Sequence, residues 1–139
     1  MRFTYAIEID APVEEVFELV ETPEKMELWI DGLEVNEFPP GYDRTNPVGT
    51  RFQQGIRESG RLGRFEGVVT AYEKLRRFGI RLMGRRFTAD VDYSFTPLPG
   101  KTRVDYASAI HFQSFADRLM AKAFRHLAEG IIRNQMWRL

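Results

Sequence analysis

Apolar and polar residues alternate along most of this chain and recur at helical spacing near its two ends. In Arg2–Asp10, Phe3, Tyr5, Ile7 and Ile9 alternate with Arg2, Thr4, Glu8 and Asp10, the pattern of a half-buried strand. Val13, Val16, Phe17 and Val20 then follow a 3.6-residue period, with Glu14, Glu15 and Glu18 on the other side. Pro12 fits the first helical position, where its missing N–H costs nothing. Thr22-Pro23 reads as a second cap and start, of a helix over Glu24–Ile30 that Gly32 ends.

Strand patterns resume at Leu33–Phe38, Thr50–Glu58 and Arg64–Leu75. In the second of these Phe52, Gln54 and Ile56 share a face; in the third Phe65, Val69 and Ala71 oppose Arg64, Glu66 and Thr70. A Gly-rich turn, Ser59–Gly63, separates the two. Phe78, Ile80 and Leu82 alternate with Arg77, Gly79 and Arg81. Phe87, Ala89, Val91, Tyr93 and Phe95 oppose Thr88, Asp90, Asp92 and Ser94, and after Pro97–Gly100 the set Val104, Tyr106, Ser108, Ile110 and Phe112 returns on the same face. Strands so spaced, with short turns between them, predict an antiparallel meander. Pro39–Pro47, rich in Pro, Gly, Asp and Asn, is expected to be a mobile loop over an opening.

The last element is a long amphipathic helix, Ser114 to about Arg138. Leu119, Met120, Ala123, Phe124, Leu127 and Ile131 fall in one stripe, and Asn134 projects onto it at ~100° per residue. The expected architecture is α+β: a seven-stranded curved antiparallel sheet wrapped around this helix, with two short helices after the first strand. At 139 residues the chain is expected to form one domain, 1–139.

That order of elements is a helix-grip arrangement. The chain resembles the START/birch-pollen-allergen superfamily, and within it the polyketide cyclase/dehydrase and lipid transport branch. The resemblance is carried by Ile9-Asp10-Ala11-Pro12-Val13-Glu14-Glu15-Val16-Phe17, Trp29 and Val48-Gly49-Thr50-Arg51-Phe52, with support from Gly67–Tyr72 and Thr102-Arg103-Val104. It implies a cavity between the sheet and the long helix. It does not mark an activity, because the superfamily includes carriers, sensors, cyclases and co-chaperones.

Composition narrows the chemistry. There is no cysteine, so disulfides and thiolate metal sites are excluded. Only His111 and His126 are present, the first on the outward parity of its strand, and no metal site, cofactor or catalytic residue is expected. No G-x-S-x-G, P-loop, G-x-G-x-x-G or H-E-x-x-H pattern occurs. No apolar run approaches the ~18 residues of a membrane span and no signal peptide is evident, so a cytoplasmic protein without stable membrane insertion is expected. Net charge is zero, but residues 1–37 hold eleven acids against Arg2 and Lys25. Lys74–Arg86 carries six bases and no acid. We read that run as a solvated face rather than a nucleic-acid site, because strand alternation scatters its residues. Asp90 and Asp92 also point outward, with Arg103 across the hairpin to neutralise them.

Polar residues of inward parity are the candidate chemistry: Gln54, Glu58, Ser108, Asn134 and the phenols of Tyr5, Tyr93 and Tyr106. In a solid core they bond backbone or water; converging on one cavity they orient a ligand. The expected ligand-binding set is Phe52, Gln54, Phe65, Tyr93, Tyr106, Ser108, Met120, Phe124, Leu127 and Asn134. The leading function is binding of a small or medium hydrophobic molecule, as a carrier or sensor. The alternatives are a cofactor-independent cyclase or dehydratase, and a protein-interaction module of the co-chaperone type. Oligomeric state is not legible.

Overall fold

The computed structural model describes residues 1–58 and 60–112. The expected C-terminal helix, and with it Met120, Phe124, Leu127 and Asn134, lies outside the described residues. The elements are β1 (Arg2–Ile9), α1 (Val13–Glu21), α2 (Pro23–Met26), β2 (Leu33–Glu37), β3 (Arg51–Glu58), β4 (Arg61–Glu73), β5 (Arg77–Met83), β6 (Phe87–Leu98) and β7 (Lys101–Phe112). All seven strands form one curved antiparallel sheet in the order β1-β7-β6-β5-β4-β3-β2. Consecutive strands pair as a meander from β2 to β7, and β1 closes onto β7.

Lateral pairing turns the period-2 pattern into rows that cross the sheet on its inner face. One row runs Tyr5–Tyr106–Tyr93–Phe78–Tyr72. The next runs Phe3–Ser108–Val91–Ile80–Val69. These rows pack against α1, whose Val13, Val16, Phe17 and Val20 are buried. The Phe17 ring sits edge-on to Phe95 at 5.1 Å and to Tyr72 at 5.7 Å. Thr102, fully buried on β7, donates through Oγ1 to the Ala11 carbonyl at 2.8 Å and fixes where α1 begins.

Several expectations are corrected. Ala71 faces outward and Tyr72 inward, because the β4–β5 register shifts between Val69 and Ala71. That bulge holds one extra residue, Thr70, and an extra residue exchanges the faces of all that follow. α2 spans only Pro23–Met26, not Glu24–Ile30. Thr22 is its N-cap residue and Pro23 its first position, as expected, but the Thr22 hydroxyl makes no cap hydrogen bond and donates to Glu21 Oε1 at 3.3 Å. Pro12 is the N-cap of α1, one residue before the helix. Gly63 belongs to β4 rather than to the turn before it.

Gly32 has the left-handed φ of 79°, and a Cβ there would run into the Arg57 carbonyl. Its own carbonyl accepts from Arg57 N–H at 2.8 Å, so the chain leaves α2 against the backbone of β3.

On the outer face, Arg81 pairs with Asp90 at 2.7 Å and Arg77 with Asp92 at 2.8 Å. Arg103 pairs with Asp105 on its own strand, not with the β6 aspartates as expected. The basic run is thus partly answered by acids on the neighbouring strand. Such exposed pairs each contribute about 0–1 kcal/mol. His111 is exposed, 3.9 Å from Asp90. Among the described residues no group of His, Asp and Glu could hold a metal, and no helix is long and apolar enough to cross a membrane.

Candidate functional site

The inner face of the sheet and the α1–α2 corner enclose a hollow of about 90 Å³, the liquid volume of about three waters. Phe52 and Gln54 on β3 border it, with Phe78, Ile80 and Leu82 on β5 and Tyr93 on β6. Tyr106 on β7 and Trp29 after α2 border it as well. Of the expected ligand-binding residues, Phe52, Gln54, Tyr93 and Tyr106 therefore share one space.

Phe65 and Ser108 do not border it. The Phe65 ring tilts toward Phe87 at 5.6 Å and faces a separate groove with Met83 and Arg85. Ser108 is buried between Phe3 and Val91 in its row. Its Oγ has no partner of hydrogen-bonding geometry, although it lies close enough to draw the Tyr106 phenol slightly down.

The two phenols that do border the hollow meet edge-on at 5.4 Å, and Trp29 meets Tyr93 edge-on at 5.8 Å. Burial, with Tyr106 beside it, holds the Tyr93 phenol well above its ordinary value. Burial also raises Tyr106. Both remain protonated at neutral pH and can donate as well as accept. Trp29 is held by its indole N–H, which donates to the Leu19 carbonyl at 2.9 Å. Sequence spacing did not single out Trp29 for this wall, since it lies beyond the last turn of α2.

Gln54 is 4% exposed and heads a short polar chain. Its Nε2 donates to Asn36 Oδ1 at 3.1 Å, and Asn36 Nδ2 donates to the Pro23 carbonyl at 2.9 Å. Met26 Sδ lies 3.5 Å from Asn36 Nδ2 and 3.7 Å from Gln54 Nε2. A carbonyl only accepts, so the Asn36 amide nitrogen must face Pro23; its oxygen then faces Gln54, and Gln54 must present nitrogen to it. Asn36 lies directly across from Gln54 in the β2–β3 ladder. Its role depends on that pairing, which periodicity does not reveal.

The loop between β2 and β3 is pinned rather than loose. Phe38 stacks on Phe52 with centroids 4.5 Å apart and planes 6° off parallel. Tyr42 tilts over Phe38 at 5.4 Å, and the Arg44 guanidinium lies 5.1 Å from the Tyr42 centroid. Arg44 grips both Glu24 oxygens, at 2.5 and 3.2 Å. Asp43 Oδ1 accepts from Thr45 N–H at 2.9 Å and from its hydroxyl at 2.6 Å. Turn-forming composition predicts the loop but not these contacts.

Glu21 ends α1 beside this loop. Burial raises its pKa, against the opposing pull of Thr22 and Arg44. A raised carboxylate pKa means the ionised form costs stability in the folded state; the cost is relieved as pH falls through the raised value. Glu21→Gln is therefore expected to stabilise the protein at neutral pH, by less than about 1 kcal/mol for a partly buried site that keeps contact with solvent. The gain should vanish below the ordinary carboxylate range, where Glu21 is protonated whether the chain is folded or not. Urea denaturation at the two pH values measures it, and a loss of stability at neutral pH would contradict the burial argument.

Similarity to known proteins agrees with this architecture. A protein from Thermus thermophilus, TTHA0849, has 19% identity and a TM-score of 0.71, over 99% of this chain and 96% of its own. A protein from Arthrobacter aurescens has 19% identity and a TM-score of 0.73, over 97% of this chain and 81% of its own. Ara h 8.0201 has 14% identity and a TM-score of 0.68, over 97% and 94%. At such identities the likeness is one of fold. No curated protein is a significant sequence match. The sequence does match, over residues 1–139, the family described as polyketide cyclase / dehydrase and lipid transport. That match over the whole length shows that the chain belongs to this family, and the solved structures agree with it in fold.

Proposed function

We propose that the protein binds a small or medium hydrophobic molecule on the inner face of its sheet, as a carrier or sensor. The observation that carries this reading is the lining of the hollow. Among the described residues it is apolar or aromatic apart from the Gln54 amide and two neutral phenols. Ligand sites combine such walls with a few polar groups that fix orientation. Phe52 also borders a groove of about 360 Å³, together with Phe38 and Gly67. Rotation of the Phe52 ring would join groove and hollow into a space within the ~300–1,000 Å³ typical of ligand pockets.

The enzymatic alternative has less support. Among the described residues the hollow holds no carboxylate, histidine or lysine, and its phenols are raised rather than lowered. A base poised near neutral pH is what proton abstraction requires.

Native mass spectrometry of freshly purified protein, with titration by an environment-sensitive apolar dye, tests the reading. We expect a co-purified small molecule or dye binding. Ile80→Trp, which fills the hollow, should abolish either one while the circular dichroism stays that of a β-rich fold. Absence of both in the wild type would refute the proposal.

A further inference from the structure

We propose that Gln54 determines specificity: the hollow takes a neutral planar ring bearing one hydrogen-bond donor, placed on Gln54 Oε1, and rejects carboxylates. This rests on the binding reading above and names the chemistry of its ligand.

The hydrogen-bond chain sets the polarity of the site. Pro23 can only accept, which fixes Asn36, and Asn36 Oδ1 fixes Gln54 with its nitrogen committed to Asn36. Rotating the Gln54 amide would bring its oxygen against Asn36 Oδ1, setting two acceptors against each other. The orientation is thereby locked, and Oε1 is left as the acceptor. Among the described residues nothing donates to it, and the side chain is 4% exposed. An acceptor that borders an apolar hollow is best answered by a ligand that donates to it.

Shape and charge narrow that partner. Trp29, Phe52, Phe78, Tyr93 and Tyr106 all border the hollow, and aromatic walls suit a flat apolar body. Its volume of about 90 Å³ admits a single ring or the ring end of a larger molecule. No Lys, Arg or His lies among the described lining residues. A carboxylate would lose its hydration with no opposite charge to answer it, and Gln54 Oε1 would repel it. A hydroxyl or ring N–H suffers neither penalty.

The full-length protein should be titrated at neutral pH with phenol, toluene and benzoate. Toluene has the shape of phenol without the donor; benzoate has the ring with a charge. Side-chain shifts of Trp29 and Tyr93, followed by nuclear magnetic resonance, report binding at the hollow. We expect phenol to bind about tenfold or more tightly than toluene, the worth of one well-placed hydrogen bond, and benzoate to bind weakest. Gln54→Leu should bring phenol down to toluene and leave toluene unchanged or improved. Asn36→Leu, which unlocks the Gln54 amide, should shrink the preference for phenol without weakening toluene.

If Gln54→Leu does not fold, the wild-type ratio decides alone. Toluene equal to phenol, or benzoate equal to phenol, overturns the inference and leaves hydrophobic binding standing. A phenol preference that survives intact in Gln54→Leu also overturns it, moving the donor to a tyrosine. No response to any of the three overturns this inference, while a co-purified molecule or dye binding decides the binding reading separately.

Discussion

Replacing Phe17 by alanine is expected to destabilise the fold by about 3–5 kcal/mol, the range for deleting a buried aromatic ring. Phe17 is 3% exposed and joins α1 to the sheet through its edge-on contacts with Phe95 and Tyr72. Such ring pairs add about 0.5–1.5 kcal/mol each beyond area burial. The space left behind cannot be closed by movement of α1, because Thr102 holds its start and Trp29 grips the Leu19 carbonyl. Phe78→Ala makes the instructive comparison. Phe78 is as buried as Phe17 but borders the hollow. A ring with empty space on one side has fewer partners to lose, so its removal should cost less. Urea denaturation of both variants measures the difference. Equal costs would mean that the hollow is as well packed as the α1 interface.

Gly67→Ala is expected to cost about 1–3 kcal/mol, the usual penalty for forcing volume into a packed site. Gly67 faces inward opposite Phe52 and Leu82, and a Cβ there would fall inside the Phe52 ring. Away from this ring the same substitution would gain a few tenths of a kcal/mol from reduced backbone freedom. The sign of the effect therefore reports where Phe52 sits. In a Phe52→Ala background the penalty should disappear, giving a coupling well above the ~0.5 kcal/mol seen for independent sites. Additive costs would show that Phe52 does not rest on Gly67. Because Phe52 borders both hollow and groove, Gly67→Ala, by displacing its ring, should also change dye binding.

Much of the fold is legible in the sequence because strand and helix periods differ. Val13, Val16, Phe17 and Val20 mark the buried stripe of α1, and the alternation in β6 and β7 places Tyr93 and Tyr106 on the inner face. Phe52 and Gln54 follow from the same parity. What failed depends on which residues lie side by side rather than on the order along one strand. Ala71 and Tyr72 exchange faces because of a bulge set by pairing with β5. Asp90 and Asp92 find arginines on β5 rather than Arg103, since the register puts Arg81 opposite Asp90 and offsets Arg77 from Asp92 by two residues. Phe65 has the right parity but lies toward the Gly84 end of β4, where Phe87 rather than the hollow receives its ring. The Gln54–Asn36–Pro23 chain is hidden for the same reason, as its members come from three segments.

The bulge at Thr70 bears on how this chain can change in length. Losing one residue from the middle of a strand normally inverts every side chain beyond it, sending the core outward. Thr70 is the extra residue between Val69, paired with Ile80, and Ala71, paired with Gly79. Its loss would leave Val69 and Tyr72 facing in and Ala71 facing out, as they are now. Shortening at this point spares the core and gives up only local twist, which bulges supply. Thr70 thus marks a position where a one-residue length difference changes the bend of β4 without scrambling which side chains form its inner wall.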